Sequence, residues 1–391
     1  MTKTSDLYST RKDCCGCEAC VASCPPRIID MKADYDGFLY PEINEHGKCI
    51  DCKKCLKVCP LKKEISLNPA KEHYGGYSKS DEDIKKSASG AIAYDISRQF
   101  IKDDGIVYGV AYTNQCKDIK YIRCQNLDVL EKLRGSKYAQ ARKDTVYYEI
   151  RKDLKERKVL FIGLPCDVHA VKILFGDNDN LFTIALICHG PTSPAVHQGY
   201  INSLKKTSSI IDFSVRYKNG GWKPYFIKAE FEDGSSFLEE FHPSIYGIAF
   251  KQLKRPSCSE CHFKLNFNKS SIDADIIIGD YHGAIPGSKW YNPWGASQIS
   301  ILTDKGRYLK NSIKDTFILH ALTPRQAISY NKALPNIIKP RWNREAYARK
   351  FASEGLEKAS KLWSIKFIDF YTSCKVNCMR SLAKLKKLLI N

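Results

Sequence analysis

The pattern of apolar and polar positions changes character several times along the chain, and each change marks an element. Ile92, Ile96 and Phe100 stand at helical spacing, and Lys102-Asp103-Asp104-Gly105 breaks that helix. Ile106-Val107-Tyr108-Gly109-Val110 follows as a continuous apolar run, the mark of a buried strand. Val159-Leu160-Phe161-Ile162 is a second run, ending at Gly163-Leu164-Pro165-Cys166. Val168, Val171, Ile173 and Leu174 suit a helix, and 181–187 form a third run that stops at Cys188-His189-Gly190. Strand, helix and strand within about thirty residues predict a parallel βαβ unit with a right-handed crossover. Residues 211–239 read as antiparallel strands around Asn219-Gly220-Gly221, and further buried strands are expected at 276–280 and 298–302. From about Glu345 the chain reads as helical and basic, with Trp363, Phe367, Phe370 and Tyr371 among Lys361, Lys366, Lys375, Arg380 and Lys384. That tail fits a packing helix with a basic outer face, or a peripheral contact with a membrane or a partner.

Alternating helices and strands from Tyr77 onward predict α/β architecture, whereas 13–60 is cysteine-dense and reads as a separate compact module. The expected fold class is therefore mixed, α+β / α/β. A small cysteine-rich domain spans 1–62, a polar linker 63–76, two α/β parts sharing a mixed sheet 77–155 and 156–335, and a basic helical tail 336–391.

Composition narrows the class. Apolar residues are 43% and charged residues 27% of 391, as in ordinary globular proteins. No stretch approaches the ~18 consecutive apolar residues of a membrane span, and the polar first twelve residues lack an apolar signal region. A cytoplasmic location is the expectation. Seventeen cysteines in a long chain of this kind point to metal ligation rather than disulfides. The formal charge of +19 is lowered wherever cysteines bind metal as thiolates. The remaining basicity suits an acidic partner protein, such as a ferredoxin, or anionic lipid. No nucleic-acid-binding motif accompanies it, so nucleic acid is not an expected partner.

The cysteines carry the chemistry. Cys14-x2-Cys17-x2-Cys20-x3-Cys24-Pro25 is repeated as Cys49-x2-Cys52-x2-Cys55-x3-Cys59-Pro60, and both match the bacterial two-cluster ferredoxin run. Three closely spaced thiols hold one face of a cubane, and the fourth, before proline, leaves to serve the other cluster. Cys14, Cys17, Cys20 and Cys59 should hold one [4Fe–4S] cluster, and Cys49, Cys52, Cys55 and Cys24 the other. Zinc ribbons also use paired cysteines, but they do not explain two identical runs that each end in Cys-Pro. Cys15 is surplus and not expected to be a ligand. Cys166 and Cys188 stand just past the ends of parallel strands, on the edge where open α/β sheets bind ligands. With Cys258-Ser259-Glu260-Cys261 they make four thiols, enough for a third [4Fe–4S] cluster or for zinc.

At these residues the sequence resembles the coenzyme F-420 hydrogenase/dehydrogenase beta-subunit family, in the form with a fused N-terminal ferredoxin domain. The matching pieces are Ser87-Ala88-Ser89-Gly90, Gly105 to Val110, Arg134-Gly135-Ser136-Lys137-Tyr138, Gly163 to Cys166, Cys188-His189-Gly190, Cys258 to Cys261 and Ala274 to Asp280. The resemblance implies FAD and a third [4Fe–4S] cluster on Cys166, Cys188, Cys258 and Cys261. Ser89-Gly90, opening a helix, suits a diphosphate, and Gly135, Ser136, Lys137 and Tyr138 are expected beside the same cofactor. His189 and His282 are the candidate proton donors. Ala91, Asp167 and Tyr281-His282-Gly283 depart from the family pattern, the last two close to the expected substrate face. The expected function is an FAD-dependent iron–sulfur oxidoreductase acting on a small organic molecule, in a setting such as surface polysaccharide biosynthesis. One alternative is an electron-transfer subunit of a hydrogenase, formate dehydrogenase or F-420 oxidoreductase. Another is a non-catalytic iron–sulfur adaptor.

Overall fold

The computed structural model describes residues 3–44, 49–70, 72–204, 208–337, 339 and 343–361. The cysteine-rich domain contributes one antiparallel hairpin, β1 (Ile29–Ala33) and β2 (Leu39–Ile43). Behind it lie β3 (Glu72–Ser78), β4 (Ile106–Thr113), β5 (Asp118–Cys124), β6 (Val159–Gly163), β7 (Leu181–Leu186), β8 (Ile210–Lys218), β9 (Tyr225–Phe231), β10 (Ser236–Glu240), β11 (Ile276–Asp280), β12 (Ser297–Ile301) and β13 (Phe317–Ala321). Eight of these form one mixed sheet in the order β13-β3-β12-β11-β7-β6-β4-β5. Its centre is parallel, from β4 through β6 and β7 to β11, and both flanks are antiparallel. The expected βαβ unit is present: β6, the helix Pro165–Phe175 and β7, with the two strands paired in parallel. Val159, Leu160 and Phe161 are wholly buried because both faces of the sheet are covered, which is why these strands read as unbroken apolar runs.

One part of the expected linker 63–76 is not a linker. Glu72–Ser78 is an interior strand held between β12 and β13. Its Gly75-Gly76 pair resembles a flexible joint in sequence, but a Cβ on Gly76 would stand 1.9 Å from the Ile318 carbonyl oxygen. The glycine is there for a close approach of two backbones.

The expected antiparallel strands over 211–239 are β8, β9 and β10, a separate three-stranded sheet. The helices Pro194–Leu204, Ile245–Gln252 and Arg344–Ser360 pack against it around Phe213, Tyr246 and Tyr347. The first part of the expected tail is thus a packing helix. Residues 362–391, with Trp363, Phe367, Phe370 and Tyr371, lie outside the described residues. Among the described residues no helix is long and apolar enough to cross a membrane.

In this second core His197 stacks on Tyr112 and is hydrogen-bonded to the Cys116 carbonyl at 2.7 Å. Burial pushes its pKa down to about 4. The unfolded chain binds that proton near pH 6.5, so stability falls as pH drops from 6.5 toward 4, by up to about 3 kcal/mol. Urea denaturation of His197→Phe should show a lower stability at pH 7 but a shallower loss toward pH 5. An unchanged pH slope would show that this histidine is not the titrating group.

Candidate functional site

The two cysteine runs interleave in space. The Cys20 thiol lies among those of Cys17, Cys14 and Cys59. Cys24, Cys49, Cys52 and Cys55 line a second, apolar-walled space with Ile28 and Ile29. The fourth cysteine of each run therefore crosses to the other group. Peptide N–H groups point at the sulfurs, as Asp51 N–H does to Cys49 Sγ at 3.4 Å. Burial raises the Cys20, Cys55 and Cys59 thiols above the ordinary thiol range, so they release their protons to solvent only where a metal binds the thiolate.

The third group comes from segments far apart in the chain. Cys166 lies in the first turn of the helix after β6, and Cys188 follows β7. Cys258 sits in the short turn Pro256–Glu260, and Cys261 directly follows it. All four line one cavity of about 60 Å³. Gly190 N–H donates to Cys188 Sγ at 3.2 Å. Burial pushes the Cys188 thiol up to about 11 and the Cys258 thiol up to about 12. Among the described residues no three His, Cys, Asp or Glu side chains close on a point as they would around a single ion.

Cys15, surplus in the sequence, has a place here. Its thiol lies within hydrogen-bonding reach of both Cys17 and Cys166, and it lines the same cavity. The ferredoxin loop is docked onto the third group by side chains that carry no sequence signature. Gly16 O accepts from Gln140 Nε2 at 3.3 Å and Lys143 Nζ at 3.1 Å, and Cys17 O accepts from Tyr147 Oη at 2.6 Å. Arg255 is buried and donates to Cys14 O at 2.8 Å, Gln140 Oε1 at 2.7 Å and Leu39 O at 2.9 Å. Gly16 has φ +71° and leaves no room for a Cβ, which would meet Gln140 Nε2 at 2.2 Å. Burial works against the charge on Lys143, but the neighbouring carboxylates of Asp167, paired at 2.8 Å, and Glu18 outweigh it.

A second cavity of about 480 Å³ opens on the other side of the third group, within the size range of cofactor sites. Ser89, Gly90, Gly135, Ser136, Lys137, Tyr138, His189 and His282 all stand in or beside it. Ser89 Oγ is bonded to the Ala296 carbonyl at 2.6 Å and Gly90 N–H to Ser297 Oγ at 3.0 Å, so this pair ties the loop to β12. The uncapped first turn of Ile92–Lys102 lines the cavity. The Lys137 ammonium, expected beside the cofactor, donates to the Arg134 carbonyl at 2.6 Å and the Lys132 carbonyl at 3.0 Å. Burial lowers it to about 7, and a buried ammonium satisfies itself on the nearest carbonyls. Burial also lowers His282, and it lowers His189 to about 4, so both rings are neutral at pH 7. The three-stranded sheet supplies a residue the sequence did not reveal. Arg216 bonds Tyr138 Oη at 2.9 Å, Ala88 O at 2.7 Å and Asp280 Oδ2 at 3.1 Å. Its Nε, like Nδ1 of His282, is buried without a partner among the described residues.

Residues 156–326 match the family model for the C terminus of the coenzyme F420 hydrogenase/dehydrogenase beta subunit, and residues 13–73 match that of a 4Fe-4S dicluster domain. Residues 156–326 are thus similar to the C-terminal part of that beta subunit. This beta-subunit domain, joined to a dicluster domain, makes the chain an iron–sulfur electron-transfer protein of oxidoreductase type. Among solved structures it is similar to a chain of the F420-reducing [NiFe] hydrogenase complex from Methanosarcina barkeri, studied by xenon derivatization. The likeness has 18% identity and a TM-score of 0.46, covering 75% of this chain and 91% of that one. No curated protein matches the sequence.

Proposed function

We propose that the chain is an FAD-dependent iron–sulfur oxidoreductase. In this reading Cys166, Cys188, Cys258 and Cys261 hold a third [4Fe–4S] cluster, and the larger cavity holds FAD and a small organic substrate. The observation that carries it is a shared wall: Leu164, Asp167, Cys188, His189 and Gly190 line both the thiol cavity and the larger one. With the ferredoxin loop against the far side of the thiol cavity, the three sites follow one another in a row.

FAD, when bound, supplies the exchange between single electrons and hydride chemistry. The chain does the rest. The free N–H groups at the start of Ile92–Lys102 offer a seat for a diphosphate. Arg216, fixed by Tyr138 and Asp280, turns an unpartnered Nε–H toward a ligand acceptor. His282 Nδ1, buried and unpartnered, is placed to exchange a proton with a bound ligand, and His189 stands between the two cavities. Aromatic side chains such as Tyr138 and Phe250, stacked at 4.5 Å, exclude water from the wall.

The test is anaerobic purification with iron, sulfide and flavin quantified. The expected content is about twelve irons, four for each of three clusters, and one FAD per chain. About eight irons and no flavin would overturn this reading and leave the ferredoxin domain standing. A second reading, an electron-transfer subunit of a larger complex, draws on the outward-facing second thiol group. Copurification of a large catalytic protein from the native host would favour it.

A further inference from the structure

The two thiol groups of the ferredoxin domain have opposite surroundings. The group of Cys14, Cys17, Cys20 and Cys59 is sealed against the beta-subunit domain through Gly16, Arg255 and Tyr147. The group of Cys24, Cys49, Cys52 and Cys55 faces outward. In its binding loop Ile50 lines the thiol space yet is 62% exposed, an apolar side chain turned largely to solvent. Lys53, which lines the same space, and Lys54 and Lys57 in the short helix that follows are exposed, and none of the three has a carboxylate partner among the described residues. Segment 50–57 carries those three cations against the single anion Asp51.

We infer that this face is the docking surface for a small, acidic one-electron carrier protein, and that electrons enter or leave the chain there. The inference rests on the proposed function, in which the ferredoxin domain exchanges electrons with the third thiol group, and adds the outer terminal of that path. An exposed apolar side chain with exposed cations along the same segment is what a transient electron-transfer partner requires. The cations steer an acidic surface during approach, and a small dry contact brings the redox centres close without tight binding. The opposite end offers no such port, because the domain's own docking covers it. In each encounter one electron passes between carrier and chain; one partner is oxidised by one electron, the other reduced by one, and no bond forms or breaks.

The test uses the full chain with its clusters and, as probe, an acidic plant-type [2Fe–2S] ferredoxin. Stopped-flow mixing follows the iron–sulfur absorbance, and the affinity for the same ferredoxin in a redox-silent, gallium-substituted form is measured separately. In the unaltered chain both rate and affinity should fall steeply as salt rises. Lys53→Glu, Lys54→Glu and Lys57→Glu together should slow the second-order rate by about tenfold or more and flatten its salt dependence. Iron content and the full extent of dithionite reduction should stay unchanged. If the triple reversal loses iron, Lys53→Gln with Lys57→Gln is the milder form and should still slow the rate several-fold. Unchanged rate, affinity and salt dependence with iron retained would overturn the inference. An equal loss from Lys314→Glu, on the beta-subunit domain, would do so as well. The flavin reading stands or falls separately: a chain without flavin still takes electrons at the ferredoxin domain, so the fast phase reads the docking face alone.

Discussion

If the proposed third cluster sits on Cys166, Cys188, Cys258 and Cys261, replacing Cys166 by serine should lower the iron content from about twelve to about eight per chain and remove one of three reduced-cluster signals in electron paramagnetic resonance. Cys166 is the right residue for this because it lines only the third cavity and stands in the first turn of the helix that follows β6. The ferredoxin thiols belong to other segments and should keep their iron. Cys15→Ser is the paired measurement. Its thiol touches both Cys17 and Cys166, but each thiol group already has four cysteines without it. The variant should keep about twelve irons while shifting the spectrum of the third cluster, since hydrogen bonds to ligand sulfurs tune such centres. Loss of four irons in Cys15→Ser and not in Cys166→Ser would exchange their roles.

The second large effect is at Arg255. Arg255→Met leaves the carbonyls of Cys14 and Leu39 without a donor in a buried seam, and Gln140 Oε1 keeps only the Leu39 N–H at 3.4 Å. Charged hydrogen bonds of this kind are each worth about 1.5–3 kcal/mol, and an abandoned buried acceptor adds its own cost. The domain contact should weaken by about 4 kcal/mol or more. Limited proteolysis should then cut between the ferredoxin domain and β3 faster than in the unaltered chain, and anaerobic melting should begin at a lower temperature. Gly16→Ala acts on the same seam from the other side, since its Cβ would stand 2.9 Å from Arg255 Cζ. If both variants digest and melt as the unaltered chain does, the seam does not hold the domains together.

Much of the fold was legible. The runs at 106–110, 159–162, 181–187 and 276–280 became strands within a residue or a few at their ends, because fully covered sheet strands need apolar residues on both faces. Glu72–Ser78 was not legible, because its glycines answer to a backbone contact with Ile318 and not to a local preference. At the site, the cysteines and the cavity-lining stretches at 87–90 and 134–138 could be named. The individual tasks of Ser89 and Lys137 could not. Both side chains turn to backbone carbonyls, a choice made by burial and nearest neighbours.

What the sequence by itself determined is local chemistry. Eight cysteines at ferredoxin spacing, each run closed by Cys-Pro, encode their ligand geometry within a dozen residues, and the βαβ pattern places Cys166 and Cys188 on one sheet edge. The tertiary structure alone decided how those pieces meet. It put Cys15 against Cys166, Arg255 under Cys14 and Arg216 across from Asp280, pairs separated by long stretches of chain. It also decided which thiol group is sealed inward and which is left facing outward beside Ile50. Spacing along a chain governs contacts within a turn, a strand pair or a ligand loop. Contacts between distant segments depend on how the sheet orders its strands and which surfaces are left to be buried, and no short stretch of residues carries that information.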